Sequence, residues 1–167
     1  MTVEIPLTQG LVALIDEADA AMALARKWYA GRSGRTFYAQ RTDLAADGSR
    51  LTVRLHTFLT GWRYVDHING NGLDNRRANL REAEHRQNLM NQRRPRHNTS
   101  GFKGVTLNKR TGKWEAQILP QGRHIRLGSF EDPEEAARAY DAAALLHFGE
   151  FARLNFPTPA EIGEPIR

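Results

Sequence analysis

Near the middle of the chain, "VDHINGNGLDNRRANLREAEHRQNLMNQ" (65–92) places Asp66 beside His67, Asn79 twelve residues after His67, and Asn88 nine further on. Cutting a phosphodiester requires a base that activates water, a group that orients the base, and a cation that offsets charge at phosphorus and on the leaving oxygen. His67 suits the base, because an imidazole titrates near neutrality. Asp66 and the amide oxygen of Asn88 suit a hard divalent ion, magnesium with manganese as the alternative, which takes oxygen ligands and keeps several waters. Asn79 can accept a hydrogen bond from the second imidazole nitrogen and so set its tautomer. Neighbouring strand residues point to opposite faces, so Asp66 and His67 serve one site only if the strand bends or ends there. The Asn-Gly pairs at 69–72 supply that ending. The competing reading is a polar hairpin leading into a solvated helix. A calcium loop fails, since its third position would be Ile68 and no glutamate closes it. His56 reads as a packed histidine outside the catalytic set, and His85 as solvated.

The elements that must position these residues are partly visible. Before the motif, "GLVALID" and "TFYAQRT" read as short strands and "EADAAMALARKWYA" as a helix. "RLTVRLHTFLT" reads as a strand or strand pair, "RYVDHI" as another strand and "EAEHRQNLMN" as a helix. Farther on, "KGVTLNK", "KWEAQIL" and "RHIRLGSF" read as three strands joined by turns at "RTG" and "PQG", an antiparallel meander. Asp132, Pro133 and Glu135 then fall at N-cap, N1 and N3 of a helix that stops at Gly149. Its face Ala136, Ala137, Tyr140, Ala143, Ala144 and His147 is mostly small, which lets it lie close to a sheet. The expected organisation is a small α+β extension (1–50) packed on a nuclease unit (51–92), a basic linker (93–100), a sheet domain (101–157) and a tail (158–167).

Charge follows the same blocks. Arg76, Arg77, Arg81, Arg86, Arg93, Arg94 and Arg96 face only Glu82 and Glu84, the sheet segment is basic, and the following helix is acidic. A net charge of +5 and a pI near 10.0 favour a polyanionic partner. The chain has no cysteine, which excludes a disulfide framework, a thiolate metal site and a cysteine nucleophile. No window approaches the ~20 apolar residues that span a bilayer, and the acids within the first apolar run do not fit a secretory leader. We expect an intracellular protein, in the cytoplasm or nucleoid of a bacterial host or phage-infected cell, without membrane association and acting as a monomer.

The order Asp66-His67, Asn79, Asn88, with "VDHINGNGLDNRRANLR", Leu55-His56 and "NLMN" around it, resembles the HNH endonucleases of the phage and intron homing branch. The resemblance covers about residues 50–92, with "IPLTQGLVALIDEAD" and "KWYA" also similar to what precedes the motif there. It implies a ββα-metal (His-Me finger) unit with Asp66 and Asn88 as metal ligands, His67 as general base and Asn79 as its orienter. Residues 98–156, with "GFKGV", "GKWEAQI", "IRLGSF", "EEAARAYDAAAL" and "LNFP", resemble the plant ethylene-response-factor domain of the APETALA-two type, which also occurs fused to HNH nucleases. That implies an α+β fold, a three-stranded antiparallel sheet on one helix, with Lys103, Gln117, His124 and Arg126 facing DNA. Arg126 stands where plant members have tryptophan and Lys103 where they have arginine, and the first hairpin is longer by one residue, so the plant target does not transfer.

Together these readings give a metal-dependent HNH endonuclease, a nickase with one active site per chain, targeted to double-stranded DNA by the sheet domain. Arg76, Arg77, Arg81, Arg86, Arg93, Arg94, Lys109, Arg110, Lys113 and Arg123 are expected phosphate contacts, and Trp114, Phe130, Tyr140 and Phe156 core residues. The alternatives are a non-catalytic DNA-binding regulator and an RNA-binding protein; the latter is disfavoured by the lack of an RNP-type aromatic run or GXXG loop.

Overall fold

The computed structural model describes residues 1–157; the expected tail lies outside the described residues. The chain divides into two compact units, Met1–His85 and Arg86 onward. Among the described residues no helix is long and apolar enough to cross a membrane.

The first unit opens with the antiparallel hairpin β1 (Thr2–Pro6) and β2 (Val12–Asp16), in which Ile5 pairs with Ala13 and Val3 with Ile15. Helix α1 covers only Glu17–Leu24, shorter than expected. The segment after it turns at Trp28, whose indole Nε1 donates to Ala23 O at 2.9 Å, and enters β3 (Tyr29–Ser33). β3, β4 (Thr36–Leu44) and β5 (Arg50–Arg54) form an antiparallel meander. The expected strand continuation at Leu55–Thr60 is instead helix α2, closed by Gly61 at φ 72 with its N–H on Thr57 O. Leu51, Val53, Leu55 and Leu59 are compatible with a period of two, but Leu55 and Leu59 are also one helical turn apart, and it is these two that are buried. They share a core with Ile5, Ala13, Ile15, Ala23, Trp28 and Ala39, so residues on both sides of position 50 build one hydrophobic centre.

The unit then forms a second, smaller hairpin, β6 (Val65–His67) with β7 (Leu80–Glu82), where Asp66 pairs with Arg81 and His67 with Leu80. Helix α3 follows at His85–Met90. The β6–β7 connection is held from outside: Leu14 N donates to Leu73 O at 2.8 Å and Asn75 N to Leu14 O at 2.7 Å, a parallel bridge from β2. The N-terminal hairpin is therefore the scaffold of the Asn-Gly loop.

In the second unit β8 (Val105–Leu107), β9 (Trp114–Ile118) and β10 (Ile125–Phe130) form an antiparallel sheet in the order β10-β9-β8, packed on α4 (Pro133–Phe148). Asp132 caps α4 by accepting from Glu134 N, Pro133 begins the helix, and Gly149 at φ 54 ends it. Ala136, Ala137, Tyr140 and Ala144 are buried against Val105, Ala116 and Ile118. The small face of α4 thus does what its composition requires: it lets the helix backbone approach the sheet. Trp114, Phe130 and Phe156 pack on the same core.

Candidate functional site

His67 ends β6 and is 6% exposed, with Asp66 beside it at 7%. The His67 ring packs against two other aromatic side chains: its centroid lies 4.9 Å from that of His56, nearly perpendicular, and 5.8 Å from that of Tyr38. Tyr38 comes from β4 and His56 from α2, so the meander and the helix hold the ring that the hairpin presents. His67 Nε2 lies 3.4 Å from Asn75 Oδ1 in a long hydrogen bond. Asn75 is fully buried and its Nδ2 donates to Leu73 O at 3.0 Å, which fixes the oxygen end towards the ring. A carboxamide oxygen only accepts, so this contact requires the proton on Nε2 and leaves the lone pair of the neutral ring on Nδ1. Burial pushes His67 below the ordinary histidine value, against the opposing pull of Asn75, Asp66 and Asp74. His56 is driven further, down to about 3, by burial and by the neighbouring His67 and Arg54. Both rings are therefore neutral at pH 7.

Asn79 was expected to orient His67. Its carboxamide instead ties the loop: Oδ1 accepts from Asn69 N at 3.0 Å and Nδ2 donates to Asp74 O at 2.7 Å. The contact to the imidazole comes from Asn75, four residues earlier. Asp74, 2% exposed, is the hub of the loop, taking Asn69 Nδ2 at 2.9 Å and the Arg76 guanidinium at 2.8 and 2.7 Å. Burial alone would raise its carboxyl, but the Arg76 bonds and charge outweigh that and hold it below the usual range. Asn75 and Asp74 stand in the quoted run as "DN", and only their burial separates them from the other polar loop residues. Tyr38 lies in a distant strand that no spacing could have linked to the motif.

Gly72 belongs to this architecture. A Cβ on it would meet Phe37 O at 2.5 Å and the Tyr38 ring at 2.6 Å. Gly72→Ala should displace Tyr38 or the loop and destabilise the first unit by roughly 2–3 kcal/mol. The check is chemical denaturation followed by the fluorescence of Trp28; an unchanged midpoint would refute the close-approach argument.

The arginines divide. Arg76 binds Asp74. Arg77 is a strut, with its guanidinium on Asp19 at 2.8 and 2.9 Å and on Leu59 O at 2.7 Å, and its backbone N–H on Asp16. Arg81 Nη2 lies 2.6 Å from Asp66 Oδ2, opposite it in the β6–β7 register. These three guanidinia meet carboxylates within the unit where phosphates were expected. Arg86, Arg93 and Arg94 are exposed in the second unit. Asn88 is on α3, also in the second unit, and its Oδ1 is buried without a hydrogen-bond partner.

On the sheet of the second unit, register places Thr106 beside Glu115, Glu115 beside Ser129, and Gln117 beside Arg126. Gln117 and Arg126 are exposed, as are Lys109, Arg110, Lys113, Arg123 and His124 around them. Arg126 Nη2 is held by Glu115 Oε1 at 3.0 Å and Ser129 Oγ at 2.7 Å, and Lys113 pairs with Glu131. Lys103 differs from its expected outward direction. It is half-buried and its Nζ donates to Met90 O at 2.6 Å.

Residues 100–149 match the AP2 domain family, and residues 64–90 match the HNH endonuclease family. The chain is 34% identical over 114 residues to the AP2-like ethylene-responsive transcription factor TOE2 of Arabidopsis thaliana, covering 68% of this chain and 23% of that protein. It is 45% identical over 64 residues to APETALA2-like protein 2 of Oryza sativa subsp. indica, covering 38% of this chain and 15% of that protein. It is 37% identical over 92 residues to Protein 3.8 of Escherichia phage T7, covering 55% of this chain and 75% of that protein. The chain thus spans less than a quarter of these two plant relatives, but most of the phage protein. No solved structure matches it. By its coverage of the phage relative and by the two domain matches, the chain belongs to the family of phage protein 3.8 and joins an HNH endonuclease segment to an AP2 domain.

Proposed function

We propose that this protein is a metal-dependent DNA endonuclease, a homing-type nickase that hydrolyses one phosphodiester per active site and is brought to duplex DNA by its AP2 domain. The observation that carries the reading is the buried His67, its ring packed against Tyr38 and His56 and its Nε2 facing Asn75 Oδ1. A solvated hairpin would have no reason to bury and aim an imidazole in this way. Asp66 and Asn88 are the oxygen donors that would hold the divalent ion, magnesium or manganese. The donor set fits: a carboxylate and a carboxamide are hard ligands, and the buried Asn88 Oδ1 lacks a hydrogen-bond partner, as suits an atom reserved for a cation. When bound, it would offset negative charge on the phosphate and the leaving 3′ oxygen.

In this reading His67 takes a proton at Nδ1 from the attacking water while Asn75 retains the proton on Nε2. Asn79 and Asp74 keep the loop in register, and the products carry a 5′ phosphate and a 3′ hydroxyl. Arg126 and Gln117 reach base edges from the sheet, Lys109, Arg110, Lys113, Arg123 and His124 meet the backbone, and Arg86, Arg93 and Arg94 extend the basic surface. The protein acts as a monomer inside a bacterial or phage-infected cell, a setting supported by its similarity to the phage protein.

A second reading, a DNA-binding regulator without catalysis, is favoured by one observation: Asp66 already has a cation, Arg81, at 2.6 Å. Supercoiled plasmid separates the two. The nuclease converts it to open circles in magnesium and stops when EDTA is added; no nicking in magnesium leaves the regulator, and nicking that persists in EDTA refutes the metal dependence. For the AP2 domain, Arg126→Ala should weaken duplex binding by about 1–3 kcal/mol, read by titrating labelled duplex. Unchanged affinity across salt concentrations rejects its assigned role.

A further inference from the structure

Helix α3 has six residues, far below the ~12–15 at which an isolated helix holds itself together in water. Its last carbonyls have no partner within the helix and need one from elsewhere. Lys103 provides one, with Nζ on Met90 O at 2.6 Å. Lys103 is itself fixed through its backbone. Its N–H donates to Asn155 Oδ1 at 2.6 Å, and its carbonyl accepts from Asn155 Nδ2 at 3.1 Å. Asn155 in turn is held by Asp141 on α4, whose carboxylate takes Asn155 N at 2.8 and 3.0 Å, Asn155 Nδ2 at 3.0 Å and Phe156 N at 2.9 Å. Asp141 is buried. An unbroken hydrogen-bonded chain therefore runs from the long helix of the AP2 domain, through Asn155 and Lys103, to the C-terminal end of α3. Leu89 and Met90 of α3 line a cleft of about 510 Å³ together with Lys103, Leu119, Tyr140 and Phe148.

We infer that Lys103 is a positioning residue: through Met90 it anchors α3 to the AP2 domain and so fixes Asn88, two residues earlier, for metal binding. This rests on the metal-ligand role proposed for Asn88. The AP2 domain then does more than find DNA, because it holds part of the catalytic segment in place. A lysine spent on a carbonyl is unavailable to a phosphate, and the desolvation of its ammonium, which with the Arg153 charge lowers it to about 8, agrees with an inward role.

The test uses the full chain with Lys103→Met, which keeps the apolar stem and removes the donor, and Lys103→Arg, which restores a donor. Amide hydrogen exchange without metal reads α3 through Asn91 N, bonded to Gln87 O, and Gln92 N, bonded to Leu89 O. Protection at α4 serves as the fold check. Lys103→Met is expected to lose about tenfold in protection at Asn91 and Gln92 and severalfold in manganese affinity measured by electron paramagnetic resonance. Duplex affinity should stay within twofold, and Lys103→Arg should recover both losses. Unchanged α3 protection in Lys103→Met overturns the anchor. A weakened duplex affinity with a reduced salt slope makes Lys103 a phosphate contact instead. If α3 loses protection while the wild-type protein binds no manganese, the role of Asn88 fails and with it the positioning of a ligand. Metal binding without plasmid nicking sinks the nuclease reading alone.

Discussion

Gly104→Ala is expected to lower the melting temperature of the second unit by roughly 15 °C. Gly104 has φ 77, a left-handed conformation that strains any residue bearing a Cβ. A Cβ there would also lie 2.0 Å from Tyr140 Cδ2 and 2.8 Å from Gln117 O. Tyr140 is 4% exposed in the core between α4 and the sheet, and Gln117 O is backbone of the central strand, so neither can give way cheaply. Strain of about 1 kcal/mol and overpacking of about 1–3 kcal/mol add to a large part of the stability of a small domain. Thermal unfolding of the full chain, followed by the helix signal and by duplex binding, gives the answer. A transition within about 2 °C of wild type would mean that the Gly104–Tyr140 approach is not what it looks like.

The second large effect is acid lability of the first unit. His56 is driven to about 3 when folded and returns to an ordinary value near 6.5 when unfolded. Between those values the unfolded chain binds a proton that the folded one does not, so stability is present above about 6.5 and is lost as pH falls. From pH 6.5 to 4.5 the loss from His56 alone is about 2 kcal/mol, and His67, shifted in the same direction, adds to it. Asp74, whose carboxyl is held below the usual range, contributes only at lower pH and leaves this window clear. Urea unfolding at pH 6.5 and 4.5 should show the loss, and His56→Phe should remove much of it by keeping a ring against His67 without an ionisable nitrogen. Equal slopes for wild type and His56→Phe would mean that His56 is not buried as a neutral base.

Features written in short-range chemistry were legible in the sequence, and those set by tertiary contacts were not. The capped helix α4, with Asp132, Pro133 and Gly149 at its ends, and the three strands before it are written in short-range turn and capping chemistry. The pairing of Asp66 with His67 at a strand end followed from the Asn-Gly loop. Leu55–Thr60 is helix where a strand is expected, because Leu51, Val53, Leu55 and Leu59 satisfy two periods at once and only tertiary burial of Leu55 and Leu59 decides between them. At the site, the interval to Asn79 singled out a carboxamide that bonds Asn69 N and Asp74 O, while the one facing His67 Nε2 is Asn75. Asn79 and Asn75 have the same chemistry, and what distinguishes them is that Leu73 O orients Asn75 towards His67 while Asn69 and Asp74 occupy Asn79. The inward turn of Lys103 was not legible either, since its partner is a backbone carbonyl.

The proposed role of His67 is that of the base in a metal-dependent cut. Its most direct test is single-turnover nicking of supercoiled plasmid in magnesium, wild type against His67→Ala, at concentrations giving equal duplex occupancy. The wild type should give open circles, and His67→Ala a rate lower by at least about a hundredfold. Equal rates in the two proteins would contradict it.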